Sequence, residues 1–296
     1  MKTGNLFLPQ NFNFEFYKPS KINEFLRSNQ VSPQKKWGQN FLIDPNIVEL
    51  IFSSFPKNDY EIECIGEIGT GLGVLSHRIA SSDYPVFFFE IDPFLCKFLQ
   101  SNAYFQKNKH TLLQGDVLKN LNQVANKKIF IFGNLPYYIT SDIFTTLLKT
   151  IPEFQGGVFM VQKEFAKRLI EEISSISIFI SAFCEIKWIK KISKTCFYPS
   201  PKEESALITL KSFPNRIFTT KLEVEKFELV LKTFFWGKRK TLYKSAKEAP
   251  FYSSIKERDT LCEALVEIKV PEKTRPEQLT KNQFYEIAKI FIKKGA

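Results

Sequence analysis

Gly133-Asn134-Leu135-Pro136-Tyr137 brings together residue types that could hold a planar aromatic amine for reaction. The amino group of an adenine is a weak nucleophile, because its lone pair is delocalised into the ring. Acceptors for its two N–H groups favour the pyramidal form and aim the lone pair at an electrophile. The Asn134 side-chain oxygen and the Leu135 carbonyl could be those acceptors. Pro136 stiffens the turn, and Tyr137 offers a ring on which a base can stack. Asn and Pro are also ordinary strand-ending turn residues, so the segment gains meaning only from its neighbours.

Two neighbours in the chain supply it. Glu67-Ile68-Gly69-Thr70-Gly71-Leu72-Gly73 follows an apolar run and precedes a helix-like stretch. Gly69 and Gly71 allow a tight turn and close backbone approach to a ligand. The dinucleotide fingerprint has the spacing GxGxxG. Here the third glycine comes one residue early, which weakens a nicotinamide cofactor and favours another adenosine-bearing one. Glu90 ends the next apolar run, 21 residues after Gly69, where a carboxylate can accept from both ribose hydroxyls. Asp92, ahead of Pro93, fits a helix N-cap. Asp116 follows a further run and either meets an adenine amine or caps a helix over 117–124. Both readings stay open.

These groups need strand ends to stand on. Short apolar runs over 61–68, 86–91, 110–114, 128–133, 157–162, 186–192 and 205–211 read as strands. Helical spacing fills most of the gaps, including 93–102, 141–149 and 163–173. Such alternation predicts an α/β domain with a mostly parallel sheet. The last two strands have no helix between them, so an antiparallel hairpin is expected at one edge, with Pro199 and Pro201 in its connection. Asp44 and Pro45 predict a helix start, with Ile47, Val48, Ile51 and Phe55 on one face. Residues 1–34 read as an irregular extension, 35–213 as the α/β domain and 214–296 as a basic helical domain. Helices are expected there over 221–235, 254–268 and 280–293, the last behind a Thr280/Gln283 capping box.

The formal net charge is +11. Residues 211–296 hold 19 Lys and Arg against 11 Asp and Glu, whereas 1–210 hold 23 against 20. A basic C-terminal part suits a polyanion such as nucleic acid, and a Lys-rich solvated surface would look the same. Lys238, Arg239 and Lys240 are consecutive, so on a helix they would spread over more than one face. The five cysteines include no CxxC pair, which argues against a zinc site or disulfide framework; no metal is expected. No run of 18 apolar residues occurs, so no membrane partner is expected. Residues 1–18 lack the apolar core of a signal peptide, which predicts a cytoplasmic protein.

With the Gly loop, Glu90 and Asn134 so placed, the chain resembles the KsgA-type ribosomal RNA small-subunit adenine dimethyltransferases of the rRNA adenine N6-methyltransferase family. The resemblance covers roughly residues 35–290. Lys36-Trp37-Gly38-Gln39-Asn40-Phe41-Leu42 resembles the family's GQNFL segment, which implies that Asn40 and Leu42 contact the methionine end of S-adenosyl-L-methionine. Gly69, Glu90, Asp116 and Asn134 match its remaining cofactor positions, with Gly71 in the same loop. Asn134, Leu135, Pro136 and Tyr137 match its catalytic segment. Phe197-Tyr198-Pro199-Ser200-Pro201-Lys202 resembles the FxPxPK segment, which implies that Phe197 pairs with Tyr137 around the target base. Trp236-Gly237-Lys238-Arg239-Lys240-Thr241-Leu242 resembles its basic RRKTL stretch, and Arg275-Pro276-Glu277-Gln278-Leu279 a late signature.

The family implies a Rossmann-like class I methyltransferase sheet of seven strands and a smaller C-terminal all-α domain. It implies a monomer that dimethylates two adjacent adenosines near the 3′ end of 16S rRNA in the small ribosomal subunit, with a part in ribosome assembly. Thr70 stands where the family usually has Pro, and Tyr138 where it has Asn. Residues 170–179 lack a family pattern found near the target. Three other readings compete. A 23S rRNA adenine methyltransferase of antibiotic resistance shares the motifs, but the late basic segment and Leu135 favour the small-subunit enzyme. An inactive assembly factor conflicts with intact Asn134, Pro136 and Tyr137. A DNA adenine methyltransferase should carry a larger recognition domain.

Overall fold

A computed structural model describes residues 14–55, 61–102, 105, 109–237 and 239–295. Its centre is a seven-stranded sheet made of β2 (Cys64–Ile68), β3 (Val86–Glu90), β4 (His110–Gln114), β5 (Ile129–Asn134), β6 (Phe154–Gln162), β7 (Cys184–Ile192) and β9 (Ser205–Ser212). Two short strands, β1 (Phe41–Leu42) and β8 (Phe197–Tyr198), pair with each other antiparallel. The sheet order is β4-β3-β2-β5-β6-β9-β7. β9 is antiparallel to both β6 and β7, which produces the expected edge hairpin.

The chain leaves β2 towards β3 and β4 on one side, and then returns to β5 on the other. A crevice opens at the carboxyl ends where the order reverses. Register makes this crevice a site. Ile68 lies opposite both Phe89 of β3 and Gly133 of β5. One residue further along each strand, Gly69, Glu90 and Asn134 therefore emerge side by side. β2 is buried along its whole length, as a central parallel strand must be, and that burial includes its one charged residue, Glu67.

The helices include α2 (Pro45–Ser53), α4 (Pro93–Ser101), α5 (Val117–Asn120), α6 (Thr140–Thr150) and α7 (Lys163–Glu171), with the single turn α3 (Ser76–Ile79) after the Gly loop. Asp44 and Asp92 cap α2 and α4 through the N–H groups of Asn46 and Phe94. Three helices depart from the sequence expectations. Pro19–Ser28 forms α1, although residues 1–34 read as irregular; residues 1–13 lie outside the described residues. Its signals are Pro19 at N1 and the i, i+3, i+4 set Ile22, Phe25 and Leu26, which packs against Phe41, Leu72 and Leu95. Ser175–Ser181 forms α8, capped by the reciprocal Ser174–Ser177 pair. Its Ile178, Phe179 and Ile180 are buried, so the end of the stretch that departs from the family pattern is core, whereas Ile170, Glu171 and Glu172 at its start are exposed. Leu242–Glu248 forms α10.

α9 (Lys221–Phe235), α11 (Ile255–Glu267) and α12 (Lys281–Lys293) complete the C-terminal part. Phe227 and Tyr285 pack in one cluster with Phe179 and Phe183, and the Ser181 hydroxyl bonds the Tyr285 hydroxyl at 2.7 Å. The apolar core thus runs without a break from the sheet into these helices. Among the described residues, no helix is long and apolar enough to cross a membrane.

Candidate active site

The carboxyl ends of β2, β3 and β5 open into a cavity of about 1120 Å³, counting its mouth. Asn40, Leu42, Gly69, Gly71, Glu90, Asp116, Asn134, Leu135, Pro136 and Tyr137 all line it. These residues span almost a hundred positions of sequence, and the strand register described above brings them together.

The Gly loop turns with φ of +76° at Gly69 and +55° at Gly71, a region that side chains disfavour. A β-carbon at Gly71 would come within 3.3 Å of the Phe41 ring. The loop is tied to Glu90, which is 5% exposed. Glu90 Oε2 accepts from the Thr70 hydroxyl at 3.0 Å and the Gly71 N–H at 2.9 Å. Its Oε1 accepts from the N–H groups of Ile91 at 2.9 Å and Asp92 at 3.0 Å. Burial pushes the Glu90 carboxyl above its ordinary range, and these donors oppose the shift. Thr70, in the position where Pro was expected, thus contributes a hydroxyl to the clamp.

Sequence reasoning missed Glu67. It is 1% exposed, lines the cavity, and its Oε2 has no hydrogen-bond partner. Burial pushes its carboxyl well above the carboxylate range, with the nearby Ser76 opposing and Glu90 reinforcing. A buried orphan acceptor of this kind is the available signal for a ligand group. The GQNFL-like segment closes a second wall. Gln39 accepts from the Gln34 N–H at 2.7 Å and donates to Asp92 Oδ2 at 2.8 Å, fixing the segment to the start of α4. Phe16, from the stretch before α1, also lines the cavity.

Asn134 carries the most specific geometry. Its Nδ2 donates to the Asn40 carbonyl at 3.0 Å. A backbone carbonyl can only accept, so the amide is oriented, and Oδ1 is left as the acceptor. The Leu135 N–H bonds the Met160 carbonyl at 3.0 Å, which fixes the adjoining peptide. The Tyr137 hydroxyl bonds Ser205, and burial raises the phenol above its ordinary range. Asp116 caps α5 through Oδ1, which accepts from the Leu118 N–H at 3.0 Å, and it also lines the cavity. The two readings of Asp116 are therefore compatible.

Phe197 is not brought to this site. It is 3% exposed, pairs with Leu42 and packs in a core cluster with Ile192 and Leu207. The apolar interior claims its ring, and it is not among the residues that line the cavity. The basic stretch also differs from expectation. Arg239 and Lys240 lie in the turn between α9 and α10 rather than on a helix, and Lys238 lies outside the described residues. Arg239 is exposed, whereas Lys240 bonds Glu248 at 2.8 Å and sits 3.6 Å from the Trp236 ring centroid.

A mostly parallel sheet in this strand order, with a ligand cavity at its switch point, is the architecture of a class I methyltransferase. It is shared with a dimethyladenosine transferase from Plasmodium falciparum, at a TM-score of 0.68 and 23% identity over 86% of this chain and 98% of that one. The 23S rRNA methyltransferase ErmE shares it at a TM-score of 0.58 and 21% identity over 86% of this chain and 100% of its own. The chain belongs to the ribosomal RNA adenine dimethylase family, whose model matches residues 31–293. Among its relatives, Ribosomal RNA small subunit methyltransferase A of Mycoplasma mobile is 34% identical over 86% of this chain and 98% of that one. The protein of the same name from Halothermothrix orenii is 31% identical over 90% of each.

Proposed function

We propose that the protein transfers methyl groups from S-adenosyl-L-methionine to the N6 amines of two adjacent adenosines near the 3′ end of 16S rRNA, in the small ribosomal subunit. The observation that carries this reading is the oriented Asn134 amide, with its acceptor oxygen in the same cavity as Glu90 and the Gly loop. Relatives that are more than 30% identical over most of their length bear the small-subunit name, which favours this substrate over 23S rRNA.

The cavity suits the cofactor. Glu67 offers a buried carboxyl oxygen without a partner, fit for an ammonium. Glu90 stands at the ribose position, though its oxygens already hold four donors, so ribose hydroxyls share or displace the Thr70 and Gly71 bonds. Asn40, Leu42 and Asp116 complete the contacts. The bound cofactor supplies a methyl on a sulfonium, an electrophile with a good leaving group. The work of the chain is then positioning. Asn134 Oδ1 and the Leu135 carbonyl accept from the amine and aim its lone pair. Pro136 holds the turn, Tyr137 stacks on the base, and the surplus proton passes to water.

Asn134→Ala tests the reading. It should lower kcat on unmodified small subunits by on the order of 10²–10³, with little change in affinity for the RNA. Native turnover in this variant would refute the positioning role.

A further inference from the structure

In the segment that follows β5, Tyr137 turns inward to Ser205 and an exposed ring stands next to it in the chain. Tyr138 is 58% exposed and lines the mouth of the cavity. The turn Tyr137–Ile139 is a 3-10 helix, in which successive side chains point about 120° apart. Tyr137 is thereby directed to Ser205 and Tyr138 to solvent. Tyr138 is braced against Gly38, where a β-carbon would sit 3.6 Å from the ring's Cε1. Gly38 has a φ of +64°, so its turn brings the backbone close under the ring. Trp37 lines the same mouth, with the Lys36 ammonium 4.4 Å from its ring centroid, and Lys35 and Lys36 are exposed. Aromatic faces beside cations are the chemistry that holds single-stranded nucleic acid.

We propose that Tyr138 is the second aromatic platform of the substrate site, stacking on the nucleotide that flanks the target adenine while Tyr137 takes the adenine itself. This rests on the proposed function. An extruded base leaves its neighbours unstacked, and a ring at the cavity mouth compensates for that loss without entering the reaction. The phenol is not required for this, because stacking needs only the open face of the ring.

The test uses Tyr138→Ala and Tyr138→Phe, substitutions at an exposed position that leave the core intact. Tyr138→Ala should raise KM for unmodified small subunits about tenfold, the loss expected for one base stack, with kcat little changed. Tyr138→Phe should restore the wild-type KM, and both variants should bind S-adenosylhomocysteine as the wild type does. A 16S-derived RNA hairpin carrying 2-aminopurine on either side of the adenosine pair should show quenching with the wild-type protein and none with Tyr138→Ala. A normal KM in an active Tyr138→Ala, equal damage from Phe and Ala, or a parallel loss of S-adenosylhomocysteine affinity would overturn the platform while leaving the proposed function standing. A wild-type protein that methylates no adenine in RNA would remove both.

Discussion

The cavity at the strand ends and the turn between α9 and α10 hold their charges in opposite ways. Glu90 is buried under four donors, three of them backbone N–H groups. Its place follows from strand register and could hardly be elsewhere. Arg239 is exposed, and Lys240 is held by Glu248 and Trp236 on the surface. Buried groups need one geometry, so their residues sit at fixed spacings. Holding a phosphate needs only charge within reach, and many lysines of this chain could meet that need.

Substitutions in the two regions should therefore have unequal effects. Glu90→Ala should be the more damaging, because it orphans three backbone donors and the Thr70 hydroxyl at about 1–3 kcal/mol for each group left without a partner. Calorimetry should register a large loss of cofactor affinity together with a lowered melting temperature. Unchanged affinity in a folded variant would remove Glu90 from the cofactor site. The smaller effect belongs to Lys238, Arg239 and Lys240 replaced together by Gln. Affinity for small subunits should fall modestly, and the salt dependence should flatten by about 0.7–0.9 in slope for each phosphate no longer neutralised. Cofactor affinity should not move. Since Lys240 is already paired, the flattening should fall short of what three neutralised phosphates would give. An unchanged slope would take this turn out of the RNA surface and shift attention to Lys35, Lys36 and the lysines of 187–194.

The same contrast explains what was legible in the sequence. The seven strands of the main sheet were, because apolar runs such as Phe87-Phe88-Phe89 ending at a carboxylate admit few other readings, whereas the two-residue strands β1 and β8 are too short to leave a pattern. Gly69, Glu90 and Asn134 were, because chemistry and register demand them at successive strand ends. α1 was not: a ten-residue helix with polar Lys, Asn, Glu and Arg around a narrow apolar stripe resembles loop. α8 was hidden because Ser alternates with Ile in its first half. The role of Phe197 was inferred from its motif, and a motif does not reveal which way a ring turns; packing against Leu42, Ile192 and Leu207 decided it. Glu67 was passed over because a carboxylate within a Gly-rich loop motif looks like part of the turn. Its significance lies in a buried oxygen, Oε2, left without a hydrogen-bond partner, which only the fold reveals.

The most direct measurement supplies methyl-labelled S-adenosyl-L-methionine and the protein to unmodified small subunits, large subunits and naked rRNA, and then maps the label. The expected result is two methyl groups on N6 of each of two adjacent adenosines near the 3′ end of 16S rRNA, and none in large subunits. Label in 23S rRNA, or on any atom other than adenine N6, would contradict the proposed function.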